Sequence, residues 1–308
     1  MLEIAIMIEG QNGLTWPRWQ RLAAAVEELG FVGLYRSDHF TNATPPDKES
    51  LELWVSLTWL ASHTKRIEFG SLVSPLSFRH PAFTARVAAA VDDLSDAGGG
   101  GRLTLGLGAG WQEREHHLFG FDLLDMKSRF ARFEEGLEVI TRLLKSDAPV
   151  TSEGKYYQLR GATLLPRPAR RGGPPILIGG NGEKRTLPLV AKYADEWNAI
   201  FLQPDDFKRL NARLDDLLKQ NGRAPESVRR SMMTGLKFGR TKKELKEKLA
   251  AKNQKADDLR RKGLIVGVGE EIVPQLTALE EAGLQRIMLQ WLDLDDLAGL
   301  EALAKAVL

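Results

Sequence analysis

The stretch Ile176-Leu-Ile-Gly-Gly-Asn-Gly-Glu-Lys-Arg-Thr186 joins a short apolar run to a helix-forming sequence through three glycines and one asparagine. The apolar run predicts a buried strand, and the glycines allow the backbone to turn sharply into the helix. Strand, turn and helix in this order are typical of one unit of an α/β fold. Because unpaired N–H groups and the helix dipole favour negative charge at a helix start, the stretch predicts either a phosphate seat or a tight turn that binds nothing.

The same alternation of apolar runs and amphipathic stretches continues along the whole chain. The runs predict strands over residues 2–8, 31–35, 67–73, 103–107, 176–178, 196–200, 231–238 and 287–291. The amphipathic stretches predict helices over residues 19–29, 51–61, 81–94, 130–144, 187–193, 207–218 and 294–307. Eight strands followed by helices predict a closed (β/α)8 TIM barrel, with a doubly wound open sheet as the alternative.

No break in composition divides the chain, so residues 1–308 are predicted to form a single domain. Insertions are predicted around residues 111–127 and 148–165, the second containing a β-hairpin centred on Glu153-Gly154-Lys155. Two stretches, residues 150–159 and 241–262, exceed ordinary connections. The lysine-rich residues 241–262 predict a solvated helix, and the glycine run over residues 97–101 predicts a flexible turn.

Composition excludes several classes of function. The chain has no cysteine, which rules out disulfides, thiolate nucleophiles and iron–sulfur clusters. A formal net charge of +2 argues against nucleic acid as a partner. No apolar run is long enough to span a membrane, and the N-terminus lacks the basic start of a signal peptide, so we expect a cytoplasmic protein. Glu113 and His117 are spaced i, i+4, but two histidines flanking a glutamate are absent, so we predict no metal site.

In a TIM barrel the chemistry takes place at the loops that follow the strands. After the second predicted strand, Asp38 and His39 offer a proton donor or a base, although a histidine at a strand end is often structural. After the fourth predicted strand comes Gly106-Leu-Gly-Ala-Gly-Trp111. Glycines at a strand end allow a flat ring to approach the backbone, and Trp111 is placed to form a wall beside it.

Read together, these segments resemble the luciferase-like monooxygenase superfamily, and within it the oxidoreductases that use the deazaflavin coenzyme F420. The resemblance spans nearly the whole chain. Its motifs are residues 37–40, residues 70–75 with 78–81, residues 106–111 with Glu113, residues 179–186 and residues 193–198.

The resemblance implies a barrel with an inserted segment, and a cofactor ring held in the barrel mouth against a bulge after the third strand. A non-proline cis peptide in that bulge would fall near Leu72–Val73. His39 would support hydride transfer, and Glu113 is the nearest match for proton handling, with Glu115 second. The residues implied to bind the cofactor are Asp38, Ser71, Leu72, Val73, Gly108, Ala109, Gly110, Trp111, Gly179, Gly180, Asn181 and Gly182.

We therefore predict an F420-dependent oxidoreductase that exchanges a hydride with a small organic substrate. Two alternatives stay open: an FMN-dependent monooxygenase and a non-catalytic flavin-binding barrel. The resemblance also implies a homodimer, for which the apolar helix over residues 51–59 is a candidate surface. The predicted phosphate seat follows strand five, whereas TIM barrels usually place it after strands seven and eight.

Overall fold

The structure, a computed structural model, describes residues 1–96 and 100–308. In these residues eight parallel strands form a closed barrel: Glu3–Ile8, Gly33–Arg36, Glu68–Ser71, Leu103–Gly108, Ile176–Gly179, Glu196–Ile200, Arg229–Phe238 and Arg286–Gln290. Each strand pairs with the next, and the eighth returns to the first in a register that runs from Glu3 opposite Arg286 to Met7 opposite Gln290. The predicted (β/α)8 barrel is confirmed, and the glycine turn does follow the fifth strand.

Helices surround the barrel. Their bounds are α1 Trp16–Leu29, α2 Leu53–His63, α3 Pro81–Leu94, α4 Glu113–Phe119, α5 Met126–Lys145, α6 Thr186–Tyr193, α7 Pro204–Gln220, α8 Lys242–Ala250, α9 Ala256–Arg261, α10 Gly269–Glu281 and α11 Leu297–Val307, with a short 3₁₀ turn at Pro225–Ser227. Helix α1 shows how the sequence sets these bounds. It has a proline in its first turn, buries Trp19, Leu22 and Val26 on one face, and ends at Gly30, whose φ of 95° suits glycine.

Shorter strands lie outside the barrel pairing. The predicted hairpin is present, with Val150–Glu153 antiparallel to Gln158–Ala162. Ser74–Pro75 pairs with the fourth barrel strand, and Ile265–Gly267 pairs with the seventh.

Two parts of the prediction differ from the structure. Residues 241–262 form two helices, α8 and α9, because the chain turns between them at Asn253, whose φ is 49°. Helix α10 was not predicted, since Pro274 inside it interrupts the helical pattern that a sequence shows. The turn predicted over residues 97–101 includes residues 97–99, which lie outside the described residues.

The two ends of the barrel have different contents. At the N-terminal end of the strands, the fully buried Arg286 pairs with Glu3 at 2.6 Å and with Glu68 at 2.7 Å. A compact apolar cluster that includes Ala5, Leu177 and Met288 is buried separately from the larger core that the helices share with the strands.

Among the residues that the structure describes, no helix combines the length and apolarity needed to cross a membrane.

Candidate active site

A cavity of about 570 Å³ opens at the C-terminal ends of the barrel strands. This volume is within the range of small-molecule and cofactor sites. Of the residues predicted to form the site, those that line the cavity are His39, Leu72, Val73, Gly108, Ala109, Gly110, Trp111 and Gly179. The predicted site residues and this opening at the C-terminal ends of the barrel strands therefore coincide in space.

His39 lies in the cavity wall and is paired with Glu115. The distance from Nδ1 of His39 to Oε1 of Glu115 is 2.7 Å, and the second carboxylate oxygen accepts the N–H of Phe40 at 3.1 Å. The His39 side chain is 18% exposed and that of Glu115 only 1%. Since a carboxylate can only accept, Nδ1 is the protonated nitrogen, and Nε2 is the nitrogen that remains for a ligand.

The pairing shifts the ionisation of both groups. Burial lowers the pKa of His39, but the hydrogen bond and the charge of Glu115 outweigh it and hold this pKa above its usual value. Burial likewise raises the pKa of Glu115, but the bonds and charge of His39 bring it below its usual value. The pair thus makes His39 a stronger base than a free imidazole, which suits a histidine that takes up a proton.

Glu113, which the resemblance implied for proton handling, does not line the cavity. It is the first residue of α4 and is exposed, while Glu115 is buried against His39. Residues two apart on a helix point to nearly opposite sides, so only one of the two glutamates can face the cavity. The structure brings His39 together with Glu115, the second of the two candidates.

Asp38 lies behind the cavity wall. Its carboxylate accepts hydrogen bonds from Ser74 Oγ at 2.7 Å and from both terminal nitrogens of Arg79. Arg79 also bonds Glu52 at 2.7 Å. Asp38 therefore anchors the segment that presents His39, and it does not line the cavity itself.

The bulge after the third strand forms the floor. The Leu72–Val73 peptide is cis, at the position that the resemblance implied. Ser71 is fully buried and fastens the bulge to the fourth strand, donating to the Gly106 carbonyl at 2.7 Å. Glycines make room for Val73, because a Cβ on Gly108 would lie 2.7 Å from one Val73 methyl and a Cβ on Gly179 would lie 3.2 Å from the other.

The mouth is shaped by the loop after the fourth strand. Trp111 is 60% exposed and meets the His39 ring edge-on, with centroids 5.4 Å apart. Arg129 from α5 holds this loop through the carbonyls of Gly110, Leu123 and Leu124, at 3.2, 3.1 and 3.0 Å.

The glycine turn has a geometry that the sequence did not predict. The N–H groups of Thr186 and Leu187 at the start of α6 donate to the Gly182 carbonyl at 2.8 and 3.0 Å, and Gly180 N–H donates to Asn198. These helix-start groups are thus paired, contrary to the assumption behind the predicted phosphate seat. A cation is close by instead, since the guanidinium of Arg185 lies 5.7 Å from the centre of the Phe130 ring in the cavity wall.

Three of the predicted residues flank the opening and are not part of its lining. Gly180, Asn181 and Gly182 lie in the turn just beyond Gly179, and Asn181 closes the turn onto Ile200 by bonds of 2.7 and 2.9 Å.

Sequence reasoning missed several polar groups in the lining. The Glu9 carboxylate accepts from Gln11 at 3.0 Å and from Gln290 at 2.7 Å. Glu9 follows the first strand directly and Gln290 ends the eighth, so the strand-end rule was a signal that could have found both. Arg129 offers no such signal, because it reaches the cavity from a helix.

Comparison with known proteins decides the family. A family model described as luciferase-like monooxygenase matches residues 3–289. The chain belongs to the luciferase-like monooxygenase family. Among solved structures, this family member is similar to an F420-dependent secondary alcohol dehydrogenase in complex with an F420-acetone adduct, with a TM-score of 0.86, 18% identity, and 99% of this chain and 98% of that chain covered. At that identity the likeness shows the fold.

Curated relatives of this luciferase-like chain include a monooxygenase and F420-dependent enzymes. It is 33% identical over 216 residues to the 4-hydroxyprotoasukamycin monooxygenase of Streptomyces nodosus subsp. asukaensis, covering 70% of this chain and 54% of that protein. It is 35% identical over 176 residues to the F420-dependent glucose-6-phosphate dehydrogenase of Amycolatopsis mediterranei (strain U-32), covering 56% of this chain and 48% of that protein. The chain thus spans about half the length of the curated relatives it matches.

Proposed function

We propose that this luciferase-like protein is an oxidoreductase that transfers a hydride between coenzyme F420 and a small organic substrate. The observation that supports this most directly is the His39–Glu115 pair, which is set in the wall of a cavity floored by Val73 and two strand-end glycines. This arrangement places a group that can exchange a proton beside a cavity in which a flat ring could lie. Relatives named for F420 chemistry support the choice of cofactor.

The residues present fit a deazaflavin. Val73 fills the space that side chains on Gly108 and Gly179 would take, so an apolar side chain packed against glycine backbone forms this part of the cavity. Trp111 and Phe130 provide aromatic surface at the rim, and Arg185 lies beside Phe130, near the turn proposed for the phosphate end. When bound there, a deazaflavin supplies a hydride acceptor or donor, and the protein supplies orientation and electrostatics.

The proposed role of His39 is to move the proton that accompanies the hydride. In alcohol oxidation, Nε2 accepts the hydroxyl proton as the hydride leaves the substrate carbon. Nδ1–H continues to donate to Glu115, whose carboxylate stabilises the imidazolium. In carbonyl reduction, Nε2 returns the proton to the oxygen. Glu115 acts here as a positioning residue, in the place that Glu113 was predicted to take.

Titration with F420 and with FMN tests the cofactor assignment. The exposed Trp111 stands at the mouth, so binding of either ring is expected to quench tryptophan fluorescence. We expect F420 to bind more tightly than FMN by about tenfold or more, a difference of about 1.4 kcal/mol. Equal or tighter binding of FMN would overturn the assignment. Trp111→Phe identifies the fraction of the quench that arises at the mouth.

An FMN-dependent monooxygenase is the second candidate, because the relative at 33% identity is named a monooxygenase. Oxygen consumption in the presence of reduced FMN separates the two activities. A non-catalytic flavin-binding barrel is the weaker alternative, since the cavity is open at its rim and His39 and Trp111 both line it.

A further inference from the structure

We propose that the substrate of this site is an uncharged alcohol or ketone with an apolar body, and that phosphorylated and carboxylated compounds are excluded. The inference rests on the proposed function, because it concerns the part of the same cavity that the cofactor leaves free.

The one guanidinium in the described lining of the cavity is already engaged by the mouth loop. Among the described residues that line it, Arg129 is the sole arginine or lysine. Its Nε, Nη1 and Nη2 each already donate to a backbone carbonyl, at 3.1, 3.2 and 3.0 Å. Phosphate and carboxylate are best held by two parallel bonds from such a fork. Three of the five N–H groups of Arg129 are already used, which leaves one on each terminal nitrogen. Arg129 is used to hold the mouth loop.

The remaining charged groups in the lining repel an anion. Glu9 is fixed by Gln11 and Gln290, which donate to its two oxygens. Glu115 brings a second carboxylate, and the cation it pairs with is His39. A substrate anion would therefore meet a wall whose formal charges at best cancel. Burying an ionised group without a partner is strongly unfavourable.

The uncharged part of the lining suits an apolar body. Three methionines, Met7, Met126 and Met233, line the cavity together with Phe130 and Phe201. Methionine side chains are flexible and adapt to irregular apolar ligands. Gln290 and His39 Nε2 are the kind of polar group that one hydroxyl or carbonyl oxygen needs.

Two further cations lie outside this lining. Lys184 and Arg185 are exposed in the turn that precedes α6, on the side proposed for the phosphate end of the cofactor. The inference therefore separates this chain from the relative named as a glucose-6-phosphate dehydrogenase, even though the two are 35% identical over 176 residues.

The test compares cyclohexanol with cyclohexyl phosphate, two probes that share an apolar body and differ in charge. Binding is read from the NMR signals of the lining methionine methyls, in the free protein and after addition of F420. We expect cyclohexanol to bind at least about tenfold more tightly than cyclohexyl phosphate or glucose 6-phosphate. Equal or tighter binding of either phosphate overturns the inference, and so does the absence of any response to cyclohexanol.

A variant that adds a positive charge to the lining tests whether charge is what excludes the phosphates. Met126 is 48% exposed at the rim, so Met126→Lys is expected to fold and to raise the affinity for cyclohexyl phosphate relative to cyclohexanol by about tenfold. The matched control is Leu118→Lys, which is 54% exposed but outside the lining. No gain in the first variant, or the same gain in both, contradicts the charge argument. Failure of F420 to bind would instead reject the proposed function, since the probe comparison does not need the cofactor.

Discussion

The pKa of His39 is raised by Glu115, a residue that is 76 positions away in the chain. The Asp38-His39 motif and the run of glutamates after the fourth strand are both visible in the sequence. Which glutamate meets the histidine depends on the rotation of α4, a helix of seven residues, and this places Glu115 inward and Glu113 outward. A short helix has too few turns for its buried face to be predicted from apolar spacing.

The first prediction concerns the ionisation of this pair. In Glu115→Gln the pKa of His39 should fall, because the bond and charge that raise it are lost. Histidine is stabilised here in its charged form and glutamate in its ionised form. The pair therefore contributes stability above the ordinary glutamate pKa of about 4.3, and this contribution is lost as pH rises through the raised pKa of His39. NMR titration of the His39 ring measures the shift, and an unchanged titration would contradict it.

The control for that prediction is Glu113→Gln, because Glu113 is exposed and two residues away on the same helix. It should leave the His39 titration as it is in the wild type.

Turnover should change in parallel with the titration: Glu115→Gln should lower it and Glu113→Gln should leave it unchanged. His39→Asn is expected to lower the rate by about 10²–10⁴-fold while F420 binding persists. A fully active His39→Asn protein would remove the proposed proton transfer.

At the scale of elements, α5 links stability to the mouth of the site. It carries Arg129, which holds the mouth loop, and Phe130, which lines the cavity. Its start is fixed by Asp125, whose Oδ1 accepts the N–H groups of Lys127 and Ser128 at 2.9 and 3.1 Å. The sequence predicted this helix only from Phe130 onward, since its first turn has no apolar periodicity to mark it.

Removing the cap gives the second prediction. Asp125→Ala should lower the free energy of unfolding by about 1 kcal/mol, because two helix-start N–H groups lose their acceptor. Asp125→Asn keeps an acceptor and should be nearly neutral. Urea denaturation of the three proteins measures the difference. If Asn and Ala are equally destabilising, the charge and not the hydrogen bond is what matters at this position.

At the scale of the whole molecule, the barrel separates a stabilising end from a reactive end. The fully buried Arg286 joins Glu3 and Glu68 at the N-terminal end of the strands, and the buried Glu196 lies 4.0 Å from it. Arg286→Met should lower the free energy of unfolding by up to about 3–5 kcal/mol, since the buried Glu196 and the partly exposed Glu3 and Glu68 lose this cation and keep only the partly exposed Arg229. F420 binding should be unaffected at the opposite end, and a loss of binding in folded protein would contradict this separation.

A neighbouring arginine serves as the control. Arg229 is 39% exposed and lies 3.6 Å from Glu68 and 3.9 Å from Glu196, so Arg229→Met should cost no more than about 1 kcal/mol. Thermal or urea unfolding of the two variants gives the comparison. Similar losses in both would show that burial is not what makes Arg286 important.

The homodimer stays a prediction. The helix proposed for it, α2, has Val55 at 56% exposed, and the adjacent α3 has Phe83 at 58%. Large apolar side chains on neighbouring helices are typical of subunit contacts. Light scattering should give twice the chain mass, and Phe83→Asp should give the monomer. A monomer mass for the unmodified protein at micromolar concentration would reject the dimer.

The sequence by itself determined the barrel, because strand and helix periodicities and glycine turns are local properties of the chain. It also placed His39, Val73 and Gly108 at one end, since strand order puts the loops after the strands together. Only the tertiary structure decided that Glu115 and not Glu113 meets His39, that the start of α6 is paired with Gly182, and that Arg129 is occupied by carbonyls. These are contacts between distant segments, whose partners depend on helix rotation and loop packing that no local pattern records.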